Sequence, residues 1–329
     1  MPIPTQLPST EEILSAYQDS YGNNRTVIQA SLVFSKPKIR KLIVEYLVTY
    51  RNQHGEWKQD SLIGKLYADQ EEGLLSYQFL QYLWKNGFNT DPNHTIVRPI
   101  AFLQPYGMLI MSKSPGKTLD DWIHGSSVNS KQLALLIAGW LTRMHAIPIK
   151  EIREGTLSRA NAEVGRYYRE LSELLPAYKS KLKAMYDVFV QNSHKLGTED
   201  KVLLHGDFHT RNVFIDAQQV IAIDFDQHFA GDPAWEVAYM ASHVQVSSFF
   251  KNGNFDYFQS MIQFFIDKYL DNHPFINRQA FLERVSLYSA RTLFESLHYD
   301  LCILKTGNLS IVDPFFIKYE QNLQGGGYK

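Results

Sequence analysis

The densest concentration of reactive side chains lies in Val202-Leu203-Leu204-His205-Gly206-Asp207-Phe208-His209-Thr210-Arg211-Asn212, a polar cluster set in apolar surroundings. A second acidic group, Ile221-Ala222-Ile223-Asp224-Phe225-Asp226, follows one hairpin later. Asp207 and Asn212 sit on the loop that enters the hairpin and Asp224 at its exit, and a hairpin brings its two ends together. Three oxygen-bearing side chains are therefore expected to converge. An aspartate and an asparagine carbonyl are hard oxygen ligands suited to Mg²⁺, which keeps some of its waters and bridges substrate phosphates. A further carboxylate beside them can orient a hydroxyl and accept its proton. Taken singly, each of these residues is an ordinary turn former; the chemistry rests on their combination.

The elements that must position this cluster change character along the chain. Pro2, Pro4 and Pro8 predict an extended arm, and Ser9 with Glu12 offers a capping box for a short helix ending near Gly22-Asn23. Val27 to Phe34, Lys41 to Thr49 and Trp57 to Tyr67 read as three strands, separated at Ser35-Lys36-Pro37 and Asn52-Gln53-His54-Gly55. Connections of hairpin length predict a small antiparallel sheet. Gln70 to Lys85 reads as a helix, and Val97 to Phe102 and Met108 to Met111 as strands. Beyond Ser114-Pro115-Gly116 the pattern is mostly helical. Leu133, Leu136, Ile137, Trp140, Leu141 and Met144 fall on one helix face, and 158–196 reads as two helices broken near Pro176. Asn212 to Asp216 and Val220 to Asp224 are the two strands of the hairpin. A strand-rich first third followed by a helix-rich remainder predicts an α+β chain with two lobes. The expected divisions are an arm and short helix over 1–24, a β-rich lobe over 25–110 and a helical lobe over 111–329.

H-x-D-x-x-x-x-N has the spacing of a kinase catalytic loop, and Asp-Phe at the end of the next hairpin that of a kinase metal-binding aspartate. With Gly231-Asp232-Pro233 downstream, the run His205 to Asn212 and Ile223 to Asp226 resembles the aminoglycoside phosphotransferase and choline kinase family. The resemblance implies a protein-kinase-like bilobal fold with a small antiparallel sheet in the first lobe, MgATP between the lobes, and transfer of the γ-phosphoryl group to a small-molecule hydroxyl. It implies that Asp207 is the catalytic aspartate and that Asn212 and Asp224 hold Mg²⁺. Lys65, in Ile63-Gly64-Lys65-Leu66-Tyr67, resembles the strand lysine that reaches the α- and β-phosphates. Its glutamate partner is either at the start of the following helix, where Glu72 is preferred over Glu71, or missing, since no acidic residue follows until Asp91. Met108 to Gly116 resembles the segment joining the lobes, with Met111 packing behind the adenine and backbone groups near Ser112 and Ser114 reading it. Such recognition leaves ATP and GTP undistinguished. No G-x-G-x-x-G loop lies between the first two strands, which separates the chain from protein kinases. Asp232 before Pro233 is accounted for as a helix N-cap.

Two other functions fit parts of the sequence. His205-x-Asp207-x-His209 could serve a metallohydrolase, but the remaining histidines stand singly outside metal-binding motifs. A non-catalytic nucleotide-binding scaffold is opposed by the presence together of Asp207, Asn212 and Asp224. Composition excludes other classes. Lysine plus arginine total 33 against 34 acidic residues, a net charge of −1, so the basic excess of a phosphate-tracking nucleic-acid binder is missing. A hydrophobic content of 44% over 329 residues supports a substantial core. Cys302 is the only cysteine, so no intrachain disulfide forms and a reducing compartment fits. No run is long and apolar enough for a bilayer, and no basic residue precedes Arg25, so a cytoplasmic protein with no membrane partner is expected. The acceptor stays open among amino sugars, amino alcohols such as choline, and sugars. Trp235, Tyr239 and neighbouring aromatics read mainly as core, while Glu236, Asp256, Glu283, Glu295 and Asp300 are carboxylates available to a cationic acceptor.

Overall fold

The computed structural model describes residues 6–38, 40–125, 129–149, 156–196, 201–325 and 328. Pro2 and Pro4 of the expected arm, and the ends of the 151–200 segment, lie outside them. The chain divides into two compact units, residues 1–117 with 214–226, and residues 118–213 with 227–329.

The first unit opens with helix α1 (Thr10–Tyr21). The side chain of Ser9 accepts from the Glu12 N–H, and the Glu12 carboxylate accepts from the Ser9 N–H at 2.8 Å, the capping box read from sequence. Strands β1 (Arg25–Pro37), β2 (Lys41–Asn52) and β3 (Trp57–Tyr67) follow, then helix α2 (Gln70–Leu83), β4 (His94–Ile96), β5 (Pro99–Leu103), β6 (Met108–Ser112) and β7 (Lys117–Thr118). The three expected strands become a five-stranded sheet of order β1-β2-β3-β6-β5. Strand β1 runs on through the expected Ser35-Lys36-Pro37 break to pair Pro37 with Leu42. Proline is tolerated there because β1 is an edge strand, where a missing N–H costs no ladder bond. Side chains alternate along the pleat. Val44, Tyr46, Val48, Leu62, Leu66, Met108 and Ile110 form one face, buried against Ile13, Ala16 and Tyr17 of α1. The opposite face carries Glu45, Ile63, Lys65, Leu109 and Met111, which are cross-strand neighbours in the register.

The second unit begins with α3 (Leu119–Ile123), α4 (Ser130–His145), α5 (Thr156–Leu174), α6 (Lys179–Ser193) and the short strand β8 (Val202–Leu204). The break expected near Pro176 is a single turn, Pro176–Tyr178. The hairpin β9 (Val213–Asp216) and β10 (Gln219–Ala222), which from Phe214 belongs to the first unit, joins β4 and β7 in a second sheet, with β10 parallel to β4. Strand β11 (Phe229–Gly231) pairs antiparallel with β8, and α7 (Pro233–Asn252), α8 (Gln259–Asp271), α9 (Arg278–His298) and α10 (Val312–Leu323) complete the chain. Helix α7 is buried on nearly every side and packs along α9, while α4 packs on α8. Strands β4, β8 and β11 span three residues each, too few for a period-2 pattern to emerge from the sequence.

Candidate active site

Lys65 lies on the face of the first sheet opposite the α1 core and is 6% exposed. Its Nζ is 2.6 Å from Asp224 Oδ1 and forms a second ion pair with Asp226. Burial alone would favour the neutral amine, but the two carboxylates outweigh it and raise the lysine pKa. Asp226 is the centre of the cluster. It pairs with Lys65 and Lys41 and accepts from the Tyr67 hydroxyl at 2.8 Å and the Ser76 hydroxyl at 3.0 Å. Burial disfavours its charge, yet the two ammonium groups hold the carboxyl well below the usual range. Asp224 differs from Asp226: its side chain is 45% exposed and its backbone is left-handed at φ 65°. Aspartate tolerates that conformation better than most residues, at a cost of about 1 kcal/mol. The neighbouring Phe225 is buried against Phe79 and fixes the turn from which Asp224 projects.

The expected pair of Lys65 with Glu72 is not formed. Glu72, in the first turn of α2, stands 3.1 Å from Lys41 Nζ instead. Lys41 is the register partner of Tyr67, the last residue of β3, so it meets α2 at its start, while Asp224 and Asp226 occupy the ammonium of Lys65. Met111 is 8% exposed on the Lys65 face. The Ser112 N–H donates to the Arg98 carbonyl at 2.9 Å, and its hydroxyl accepts from the Arg98 N–H at 2.9 Å. Among the described residues the Ser114 N–H has no hydrogen-bond partner.

In the second unit, the loop after β8 is fixed from below. Gly206 has φ 82°, and a Cβ there would lie 2.0 Å from the Gln227 carbonyl oxygen, so only glycine fits. The Gly206 N–H donates to Glu236 Oε1 at 2.6 Å. Glu236 Oε2 is 3.1 Å from His145 Nε2, and the other nitrogen of His145 is 2.7 Å from the Tyr269 hydroxyl. His205 is buried with its ring against Trp140 and Phe208, and its Nδ1 accepts from the Asp207 N–H at 3.3 Å. It therefore faces the core and does not join His209 in a metal-binding pair. Among the described residues no group of three His, Cys, Asp or Glu side chains is placed to hold a metal ion.

This frame presents Asp207. Its Oδ1 accepts from the Tyr239 hydroxyl at 3.0 Å and lies 3.6 Å from His209 Nε2, while Oδ2 accepts from Asn212 Nδ2 at 3.0 Å. Burial alone would raise the carboxyl pKa, but His209, with His205 and His243 behind it, outweighs that and lowers it from 3.8 to about 2. Asn212 spends its amide nitrogen on Asp207, donating also to the Asp207 carbonyl at 3.0 Å. Its carbonyl Oδ1 is left available to a cation. Asp232 accepts from the Ala234 N–H as the expected N-cap of α7 and additionally pairs with Arg284 at 2.8 Å.

Several residues went unassigned in the sequence. In the sequence Asp226 stands out only as part of the motif, Glu236 as one of several carboxylates available to a cationic acceptor, and Tyr239 as a core aromatic. Glu236 is fully buried on His145 and Gly206, so no acceptor meets it. Asp256 and Glu295 are likewise taken up, by Lys318 and Arg291, each at 2.6 Å. Asp232, Glu236 and Tyr239 stand at i, i+4 and i+7, on one side of α7, but a helix buried nearly all round gives no pattern that says which side meets the loop.

Solved structures identify the fold. A thermostable variant of aminoglycoside phosphotransferase APH(4)-Ia, in ternary complex with ADP and hygromycin B, aligns with a TM-score of 0.56 at 12% identity, covering 97% of this chain and 100% of that one. The amicoumacin kinase hAmiN, in complex with AMP-PNP and Ca²⁺, gives 0.56 at 14% identity over 97% and 98% of the two chains. The streptomycin–ATP complex of APH(2'')-IIa gives 0.53 at 12% identity over 98% and 100%. The fold is the kinase-like α+β architecture of these enzymes, as expected. A search of curated protein sequences found no match. The profile of the phosphotransferase enzyme family matches residues 46–259, well over half of the chain, and the chain belongs to that family.

Proposed function

We propose that this protein is a cytoplasmic small-molecule kinase that moves the γ-phosphoryl group of a magnesium nucleotide, ATP or GTP, to the hydroxyl of an amino sugar, amino alcohol or sugar. The observation that carries this reading is Asp207, a carboxylate kept ionised and aimed by Tyr239 and Asn212. Each of its oxygens has a lone pair left for an acceptor hydroxyl. Asp207 orients that hydroxyl and takes its proton as the hydroxyl oxygen bonds to phosphorus, and the bond from phosphorus to the β-phosphate oxygen breaks to release the nucleoside diphosphate. Lys65 would neutralise phosphate charge, leaving Asp224 for metal. Glu72 would act through Lys41 and not through Lys65. Met111 would pack behind the base, and Ser112 and Ser114 would read it through the backbone.

Each donor, taken by itself, suits magnesium: Asp224 is half exposed with one oxygen engaged by Lys65, and Asn212 has its carbonyl oxygen unspent. When bound, the ion would spread the charge that builds up on the transferring phosphate.

Asp207→Asn tests the assignment. Its shape and its contact with Tyr239 are retained, while the proton acceptor is lost. Phosphoryl transfer to the acceptor is expected to fall by about 10²–10⁴-fold, with nucleotide affinity unchanged. Acceptor-dependent release of the nucleoside diphosphate at equal rates from both proteins would remove Asp207 from the proton transfer, and no release from either would point to a nucleotide-binding scaffold.

A further inference from the structure

We infer that the ion pair between Glu45 and Lys113 is a positioning device for the purine of the nucleotide, an inference that rests on the reading of residues 111–114 given above. Glu45 is an unusual residue for its place. It lies in the middle of β2, its register partners are the apolar Phe34 and Ile63, and it is 5% exposed. Both of its carboxylate oxygens accept from the single ammonium group of Lys113, each at 2.9 Å. Glu45 is buried but the Lys113 side chain is 49% exposed, and an ion pair that water reaches at one end contributes only about 0–1 kcal/mol to stability. Stability therefore does not account for it, and fixing a geometry does.

The geometry fixed is that of the backbone just beyond β6. The Lys113 N–H donates to the Ser61 carbonyl at 2.9 Å, and the Ser112 N–H to the Arg98 carbonyl at 2.9 Å. The side chain of Lys113 adds a third tie, back across β3 to β2. Ser114, the next residue, is the first of this run whose N–H is unspent among the described residues. The placement along the sheet also suits a nucleotide. Lys65 shares its face with Glu45, and Ile63, opposite Glu45, is two residues from Lys65, about 7 Å along the strand. Moving from Lys65 to Ile63 on β3 is moving from Leu109 to Met111 on β6, that is, from the phosphate-binding lysine towards Lys113 and Ser114. Phosphates held at Lys65 put the base at the end of the sheet that the ion pair secures.

The test compares the affinities of ATP and inorganic tripolyphosphate in Glu45→Leu combined with Lys113→Met, which removes both charges and leaves no buried polar group unpaired. The pair predicts that ATP binding weakens about tenfold, the size of one hydrogen bond lost, while tripolyphosphate binding stays as in the unaltered protein. Lys113→Arg, which can still grip both oxygens of Glu45, restores ATP affinity. Thermal unfolding of each variant verifies that the fold is retained. Equal weakening of both ligands, or of neither, overturns the role of the pair alone. An unaltered protein that binds ATP no more tightly than tripolyphosphate overturns the reading of residues 111–114, and the pair's role with it.

Discussion

At the scale of single residues, two aspartates two positions apart do opposite work. Asp224 keeps an exposed oxygen, while Asp226 is buried among two lysines, a tyrosine and a serine. Asp226→Asn leaves Lys41 and Lys65 without their shared counter-charge and is expected to cost about 3 kcal/mol, measured by denaturant unfolding at pH 7. The sign of its pH dependence follows from the depressed carboxyl. Its stabilising effect is fully present above the ordinary aspartate range near 4 and is lost as the pH falls through the lower folded value. The deficit of the variant is therefore constant from pH 5 to 8 and narrows below about pH 4. A deficit that grows on acidification would show that Asp226 is not held as an anion. Asp207, lowered to about 2, follows the same rule and stays ionised through the whole range in which activity would be measured.

At the scale of elements, the site depends on supports that come from helices and strands distant in sequence. The loop 205–212 is held by the N-terminal half of α7 through Glu236 and Tyr239, by α4 through Trp140, and by the backbone of Gln227 against Gly206. Gly206→Ala would need both a left-handed backbone and a displaced loop, so it should destabilise by about 1–3 kcal/mol and abolish transfer. A variant of normal stability and activity would contradict the geometry of that turn. Much of this was legible beforehand. The capping box at Ser9 and Glu12, the three long strands and the two helices around Pro176 are local patterns with strong periodicity, and they appear where expected. The motif residues Asp207 and Asn212 lie five apart on one loop, so their contact is local as well. What was not legible is non-local. The partner of Lys65 was sought on the next helix, but the carboxylates that reach it lie some 160 positions away, at Asp224 and Asp226. The supporting roles of Glu236 and Tyr239 depend on which face of a fully buried helix meets the loop, and a helix apolar all round carries no periodic signal for that.

At the scale of the whole molecule, each compact unit carries one part of the proposed chemistry. The first holds Lys65, Asp224 and the segment 111–114, and the second holds Asp207 and Asn212. No helix among the described residues is long and apolar enough to cross a membrane. The central claim is that these residues serve a magnesium nucleotide, and a thermal-shift titration with ATP and GTP, with and without Mg²⁺, tests it most directly. A ligand that binds only the folded state stabilises by RT ln(1 + [L]/Kd), about 2.7 kcal/mol at a hundredfold excess over Kd. The account predicts a rise in Tm with at least one nucleotide that is larger in the presence of Mg²⁺ and loses its Mg²⁺ dependence in Asp224→Asn. No rise with either nucleotide, or an undiminished Mg²⁺-dependent rise in Asp224→Asn, would contradict it.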